Sequence, residues 1–174
     1  MDILKREELL VLNAIPTAEV AIQVAMDSIP ITLHSSNCMV LGFGRIGKIL
    51  CSMLSALGAN VYAMARKEKD LAFIFANGYN KVHPYELKES VKNMDVIFNT
   101  VPHVIMGREV LEGVGKDAII IDLASRPYGV SEEVAKSMKV KVKFLPGIPG
   151  KVAPRTCAGF MKNVIYSIIV EGEV

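Results

Sequence analysis

The chain has 174 residues, 51% of them hydrophobic, with three cysteines, no tryptophan and a formal net charge of +2. That length suits one domain, or one domain with an appendage, and is enough to bury a single core. So small a charge leaves no electrostatic footprint for nucleic acid or a membrane surface, and Cys38, Cys51 and Cys157 are too dispersed for a CxxC metal or disulfide framework. No metal site is therefore expected. The opening MDILKREELL is charged, unlike a secretory signal. No uninterrupted apolar run approaches the roughly 18 residues of a membrane span. Unpaired cysteines then make the cytoplasm the expected compartment. The high hydrophobic content fits either a parallel sheet buried on both faces or a face that meets a partner.

In chain order, Lys5 to Leu12 reads as a short helix. Asn13 or Thr17 can cap a second helix, with Pro16 tolerated in its first turn. From Ala18 to Ile29 the polar residues Glu19, Gln23 and Asp27 recur at i, i+4 and i+8, so this helix shows one narrow polar stripe and buries the rest. Pro30 ends it. Residues 1–35 thus form an N-terminal helical extension, and residues 36–174 the main domain. There the pattern alternates. Strands are expected at Cys38–Leu41, Asn60–Ala65, Tyr79–Val82, Asp95–Val101, Ala118–Leu123 and Val140–Phe144. Helices are expected after residue 44, at 68–77, Leu87–Asn93, Ile105–Glu112, from Ser131 to Met138, and Pro154–Val170. Strands alternating with helices through short loops describe a doubly wound α/β domain with a parallel sheet of order 3-2-1-4-5-6, the Rossmann fold.

Between the first strand and its helix lies Gly42-Phe43-Gly44-Arg45-Ile46-Gly47. GxGxxG in that context is the dinucleotide fingerprint. Gly42 permits the turn, Gly44 lets the pyrophosphate reach the backbone, and Gly47 brings the helix close to the strands. The N–H groups of Arg45 and Ile46 then face the phosphates from a helix N-terminus. NAD enzymes usually carry an acid at the end of the second strand. Here the strand runs into Ala65-Arg66-Lys67. Arg66 is suited to a 2′-phosphate, with Lys67 assisting, so the expected cofactor is NADP. The plainer alternative is that both are solvated charges opening a helix.

Ligands of such sheets lie beyond the carboxyl ends of the strands. Thr100, Val101 and Pro102 are expected beside the cofactor ribose. His103 is either an acid or base near the reacting carbon or a surface histidine. Ala124 and Ser125 can meet a carboxamide. Arg126 is open between a substrate carboxylate and a surface charge. Pro146-Gly147-Ile148-Pro149-Gly150-Lys151 makes a stiff corner that aims Lys151 and nearby Arg155 toward the cleft or merely turns the chain. His103, Ser125 and Lys151 are the catalytic candidates; Arg126, Lys151 and Arg155 the substrate-binding ones.

Several segments carry a closer likeness: Asn13-Ala14-Ile15-Pro16-Thr17-Ala18-Glu19, Gly42-Phe43-Gly44-Arg45, Asp95-Val96-Ile97-Phe98-Asn99-Thr100-Val101-Pro102, Asp122-Leu123-Ala124-Ser125 and Pro146 to Pro154. Over nearly its whole length the chain resembles the C-terminal part of the dipicolinate synthase A-subunit family. The resemblance implies an NADP-linked redox step that forms dipicolinate from dihydrodipicolinate or its precursor. It also implies a smaller B-subunit as partner and a place in the mother-cell cytoplasm during sporulation. Members of that family carry a further domain in front, so the chain is expected to be a fragment. The apolar surface that domain would cover makes a homo-oligomer the expectation. Two other classes stand beside this one: an NADP-linked dehydrogenase of the hydroxyacid or shikimate type, and a non-catalytic nucleotide-sensing module.

Overall fold

The computed structural model describes residues 3–147 and 149–171. Six parallel strands form one sheet: β1 Asn37–Leu41, β2 Asn60–Met64, β3 Asn80–Val82, β4 Val96–Asn99, β5 Ile119–Asp122 and β6 Val142–Phe144. Their order is β3-β2-β1-β4-β5-β6, the expected Rossmann order. Alternate residues of each strand supply opposite cores. Cys38, Val40, Val96, Phe98, Ile119 and Ile121 face one layer. Met39, Leu41, Ile97 and Ile120 face the other. Both faces of the central strands are buried, which explains why they read as unbroken apolar runs.

Eight α-helical segments occur among the described residues: α1 Glu7–Met26, α2 Arg45–Ala56, α3 Glu68–Ala76, α4 Leu87–Ser90, α5 Arg108–Leu111, α6 Glu132–Met138, α7 Pro149–Val152 and α8 Pro154–Glu171. The largest departure from expectation is α1. It is one helix of 20 residues with Pro16 inside it, not two with a break at Asn13–Thr17. Pro16 has no N–H to give the Leu12 carbonyl, and Thr17 Oγ1 donates to the Asn13 carbonyl at 2.8 Å. Continuity is enforced from outside. Ala18, Ala21 and Ala25 are fully buried in the same core as Leu50, Cys51 and Leu54 of α2, while Glu19, Gln23 and Asp27 stay exposed. Joined in this way, α1 is long and apolar enough to meet the length criterion for a membrane span, which its interrupted apolar runs did not suggest, but half of it is buried inside the fold.

Other boundaries shift for local reasons. The helix expected at Ile105–Glu112 contracts to α5, because the Ile105 and Met106 N–H groups donate to the Gly129 carbonyl at 3.0 and 2.9 Å and Met106 bridges Val130. The strand expected at Asp95–Val101 stops at Asn99, whose Oδ1 accepts from the Val101 N–H at 3.1 Å and turns the chain. The last strand starts at Val142, since Lys139 takes a left-handed conformation (φ 57°) to close α6. The corner at 145–150 contains the start of α7; its Ile148 lies outside the described residues.

Candidate dinucleotide-binding site

The strand order reverses at β1, with β2 on one side and β4 on the other, so a crevice opens beyond Leu41. The glycine loop fills its floor. Gly42 has φ +97°, a left-handed conformation that favours glycine, and a Cβ there would lie 2.6 Å from Thr100 Oγ1. Thr100 Oγ1 donates to the Leu41 carbonyl at 2.9 Å, pinning the loop after β4 against the loop after β1. A Cβ on Gly47 would sit 2.0 Å from the Gly42 carbonyl oxygen; this glycine lets the first turn of α2 lie against the strand end. Gly44 is the reverse case. Among the described residues, nothing beyond its chain neighbours lies within 4 Å of where its Cβ would be, yet it is the residue immediately before a helix N-terminus. The space over Gly44 is therefore open to a ligand, and the free N–H groups of the first turn of α2 suit an anion there.

Three hollows involve this loop, one of them behind Phe43, between α2 and α3; the other two bear on the cleft. The larger, about 510 Å³, is lined by Gly42, Phe43, Gly44, Met64, Ala65, Arg66, Lys67, Asp70, Pro84, Thr100, Val101, Pro102, His103 and Ile105. It gathers the loop, the end of β2 and the turn after β4. The second, about 290 Å³, is lined by Leu10, Asn13, Ala14, Thr17, Arg45, Ile46, Leu123, Leu145, Gly147 and Pro149. The Arg45 side chain reaches back to α1, with its Nη1 2.7 Å from Glu7 Oε2. Lys48 Nζ lies 5.6 Å from the centroid of the Phe43 ring.

Ala65 sits at the β2 end, where an acid would receive ribose hydroxyls, and Arg66 and Lys67 are exposed at the rim. Asp70, in the first turn of α3, lines this cleft as well and is absent from the expected site. Its signal was present in the sequence, since a helix opening at residue 68 turns residue 70 or 71 back toward the strand end. His103 is exposed at the mouth. The other nominated residues stand apart from the larger hollow. Ala124 is buried, with its N–H donating to Asp122 Oδ1 at 3.0 Å, and Ser125 is exposed. Arg126 lies 5.4 Å from the Tyr128 ring centroid, in a separate cleft with Val104, Glu132 and Glu133. Lys151 and Arg155 are exposed in α7 and at the start of α8.

The sheet order, the reversal at β1 and the open cradle at Gly44 define a nicotinamide-dinucleotide-binding domain. In agreement, the profile of the D-isomer specific 2-hydroxyacid dehydrogenase NAD-binding domain matches residues 18–141, and the chain belongs to that family. The chain is also 38% identical to the dipicolinate synthase A-subunit of Bacillus subtilis (strain 168) over 98% of its own length and 58% of the relative's. The crystal structure of the dipicolinate synthase A-subunit from Bacillus subtilis superimposes with a TM-score of 0.94 at 37% identity, covering 98% of this chain and 57% of that one. The corresponding dipicolinate synthase A-subunit from Bacillus halodurans gives 0.93 at 33% identity, over 97% and 58%. The chain thus spans somewhat over half the length of these relatives.

Proposed function

We propose that this chain is the cofactor-binding part of an NADP-dependent oxidoreductase subunit of dipicolinate synthase, forming dipicolinate from dihydrodipicolinate or its precursor. The observation that carries the cofactor is the cleft joining the open Gly44 cradle to a β2 end with Ala65 in place of an acid and Arg66 and Lys67 at its rim. Gly42 to Gly47 would hold the pyrophosphate, Arg66 and Lys67 the 2′-phosphate, and Thr100 to Pro102 the ribose beyond it. The bound cofactor supplies hydride transfer. His103, Ser125 and Lys151 are the proton-handling candidates, and Arg126, Lys151 and Arg155 are the cations for a dicarboxylate. The likeness over 98% of the chain supports the substrate, a B-subunit partner and the mother-cell cytoplasm of a sporulating bacterium. Exposed apolar residues on α8, among them Ile165 and Ile169, support a homo-oligomer.

Asp70 supports a second reading, in which its carboxylate accepts from ribose hydroxyls and the cofactor is NAD. Titration of wild type, Arg66→Ala and Asp70→Ala with NADPH and NADH separates the two. For NADP, Arg66→Ala raises the Kd for NADPH by about ten- to a hundredfold, the loss of a charge-assisted phosphate contact, and leaves NADH nearly unchanged. For NAD, wild type prefers NADH and Asp70→Ala removes the preference.

A further inference from the structure

Asp122 ends β5 and is completely buried. Its partners among the described residues are all neutral N–H donors. Oδ1 accepts from Asn99 Nδ2 at 2.9 Å and from the Ala124 N–H at 3.0 Å. Oδ2 accepts from the N–H groups of Gly129 at 2.8 Å and Val130 at 3.0 Å. Asn99 is its direct register partner across β4 and β5 and is itself completely buried. The Asn99 amide grips Val101 from both sides: Nδ2 donates to the Val101 carbonyl at 3.0 Å, and Oδ1 accepts from the Val101 N–H at 3.1 Å. The fit is closed by Gly129, where a Cβ would lie 2.1 Å from Asn99 Nδ2.

Two side chains therefore fix two loops. One begins at Val101 and walls the larger hollow through Pro102 and His103. The other runs from Ala124 to Val130, directly after Leu123 of the second hollow. A carboxylate placed in a core carries a desolvation cost that an apolar strand end would not. Its four converging donors offset that cost, and they make the contact directional as well as cohesive. Nothing comparable joins this node to Ala65, Arg66 or Lys67 among the described residues; their positions derive from β2 and α3.

We infer that Asp122 and Asn99 are positioning residues for the cofactor, holding the loops after β4 and β5 in the shape that receives its nicotinamide half. The adenosine half is independent of them. This inference rests on the dinucleotide reading above.

The test uses Asp122→Asn in the full chain, titrated by calorimetry with the dinucleotides NADPH and NADH and with their adenosine halves, 2′,5′-ADP and 5′-AMP. Asp122→Asn puts an NH2 donor among N–H donors and leaves the volume unchanged. The preferred dinucleotide is expected to bind at least about tenfold more weakly, while the matching half-molecule stays within about twofold of wild type. Amide exchange at Val101, Gly129 and Val130 is expected to quicken. An equal loss for dinucleotide and half-molecule, or no loss for either, overturns the inference. Should Asp122→Asn fail to fold, Asn99→Ala leaves the carboxylate three of its four donors and frees Val101. The same split, of smaller size, is then expected, and its absence is decisive. Wild-type protein that binds neither molecule overturns the dinucleotide reading; variants that match a binding wild type overturn the positioning role alone.

Discussion

At the scale of single residues, two glycines of one motif do opposite work. Gly47 is closed in by the Gly42 carbonyl, whereas no described residue beyond its chain neighbours comes within 4 Å of a Cβ on Gly44. Gly47→Ala is expected to destabilise the fold by about 1–3 kcal/mol or more, as overpacking against backbone does, and denaturant melts measure it. Gly44→Val is expected to leave the melt within about 0.5 kcal/mol of wild type and to abolish dinucleotide binding in the same titration. The buried thiols are a second case. Burial pushes Cys38 up to about 11 and Cys51 up to about 12, from 9.0. The folded state thus keeps protons that the unfolded chain releases above pH 9. Their contribution is complete below pH 9 and fades as the pH rises through 11 to 12. Cys51→Ala lacks one of these groups, so its stability deficit is expected to narrow from pH 8 to pH 11 in parallel denaturation curves.

At the scale of elements, α1 shows where sequence patterns mislead. Local signals favour a break, since Asn13, Pro16 and Thr17 are all good helix-start residues. The burial of Ala14, Ala18, Ala21 and Ala25 along one side overrides them. Small side chains there bring α1 close to α2, so Ala21→Leu is expected to cost about 1–3 kcal/mol in denaturant melts. The strands were legible because both faces are apolar and the glycine loop has a fixed context. The buried pair was legible only in part. An Asp ending Ile-Ile-Ile-Asp and an Asn ending Val-Ile-Phe-Asn are conspicuous in apolar strands, but their meeting depends on β4–β5 register, which a single sequence does not carry. Arg126 and Lys151 fall together in the sequence pattern because both follow carboxyl strand ends. The direction of a surface side chain on a loop has no sequence period: Arg126 lies in the cleft with Val104, Glu132 and Glu133, and Lys151 is exposed on α7.

At the scale of the whole molecule, the hollow at the glycine loop is lined by the end of β2 and by the segments that follow β1, β2, β3 and β4. Cofactor binding is therefore expected of this chain by itself. NADPH at a hundred times its Kd is expected to stabilise the fold by about 2.7 kcal/mol, read as a rise in Tm. Turnover is a separate matter, because Arg126 and His103 line different hollows. Helix α1 reaches across all of this. It is about 30 Å long; its second half is seated in the main core, and its first half lies against α8 through Leu9, Val164 and Ile168. A tilt of about 10° over that length carries its first turn about 5 Å, enough to part Glu7 from Arg45. In mechanical terms the helix is a lever arm: pivoting about its seat in the main core, it moves its outer end furthest, and that end is the one tied by an ion pair to Arg45, the first residue of α2.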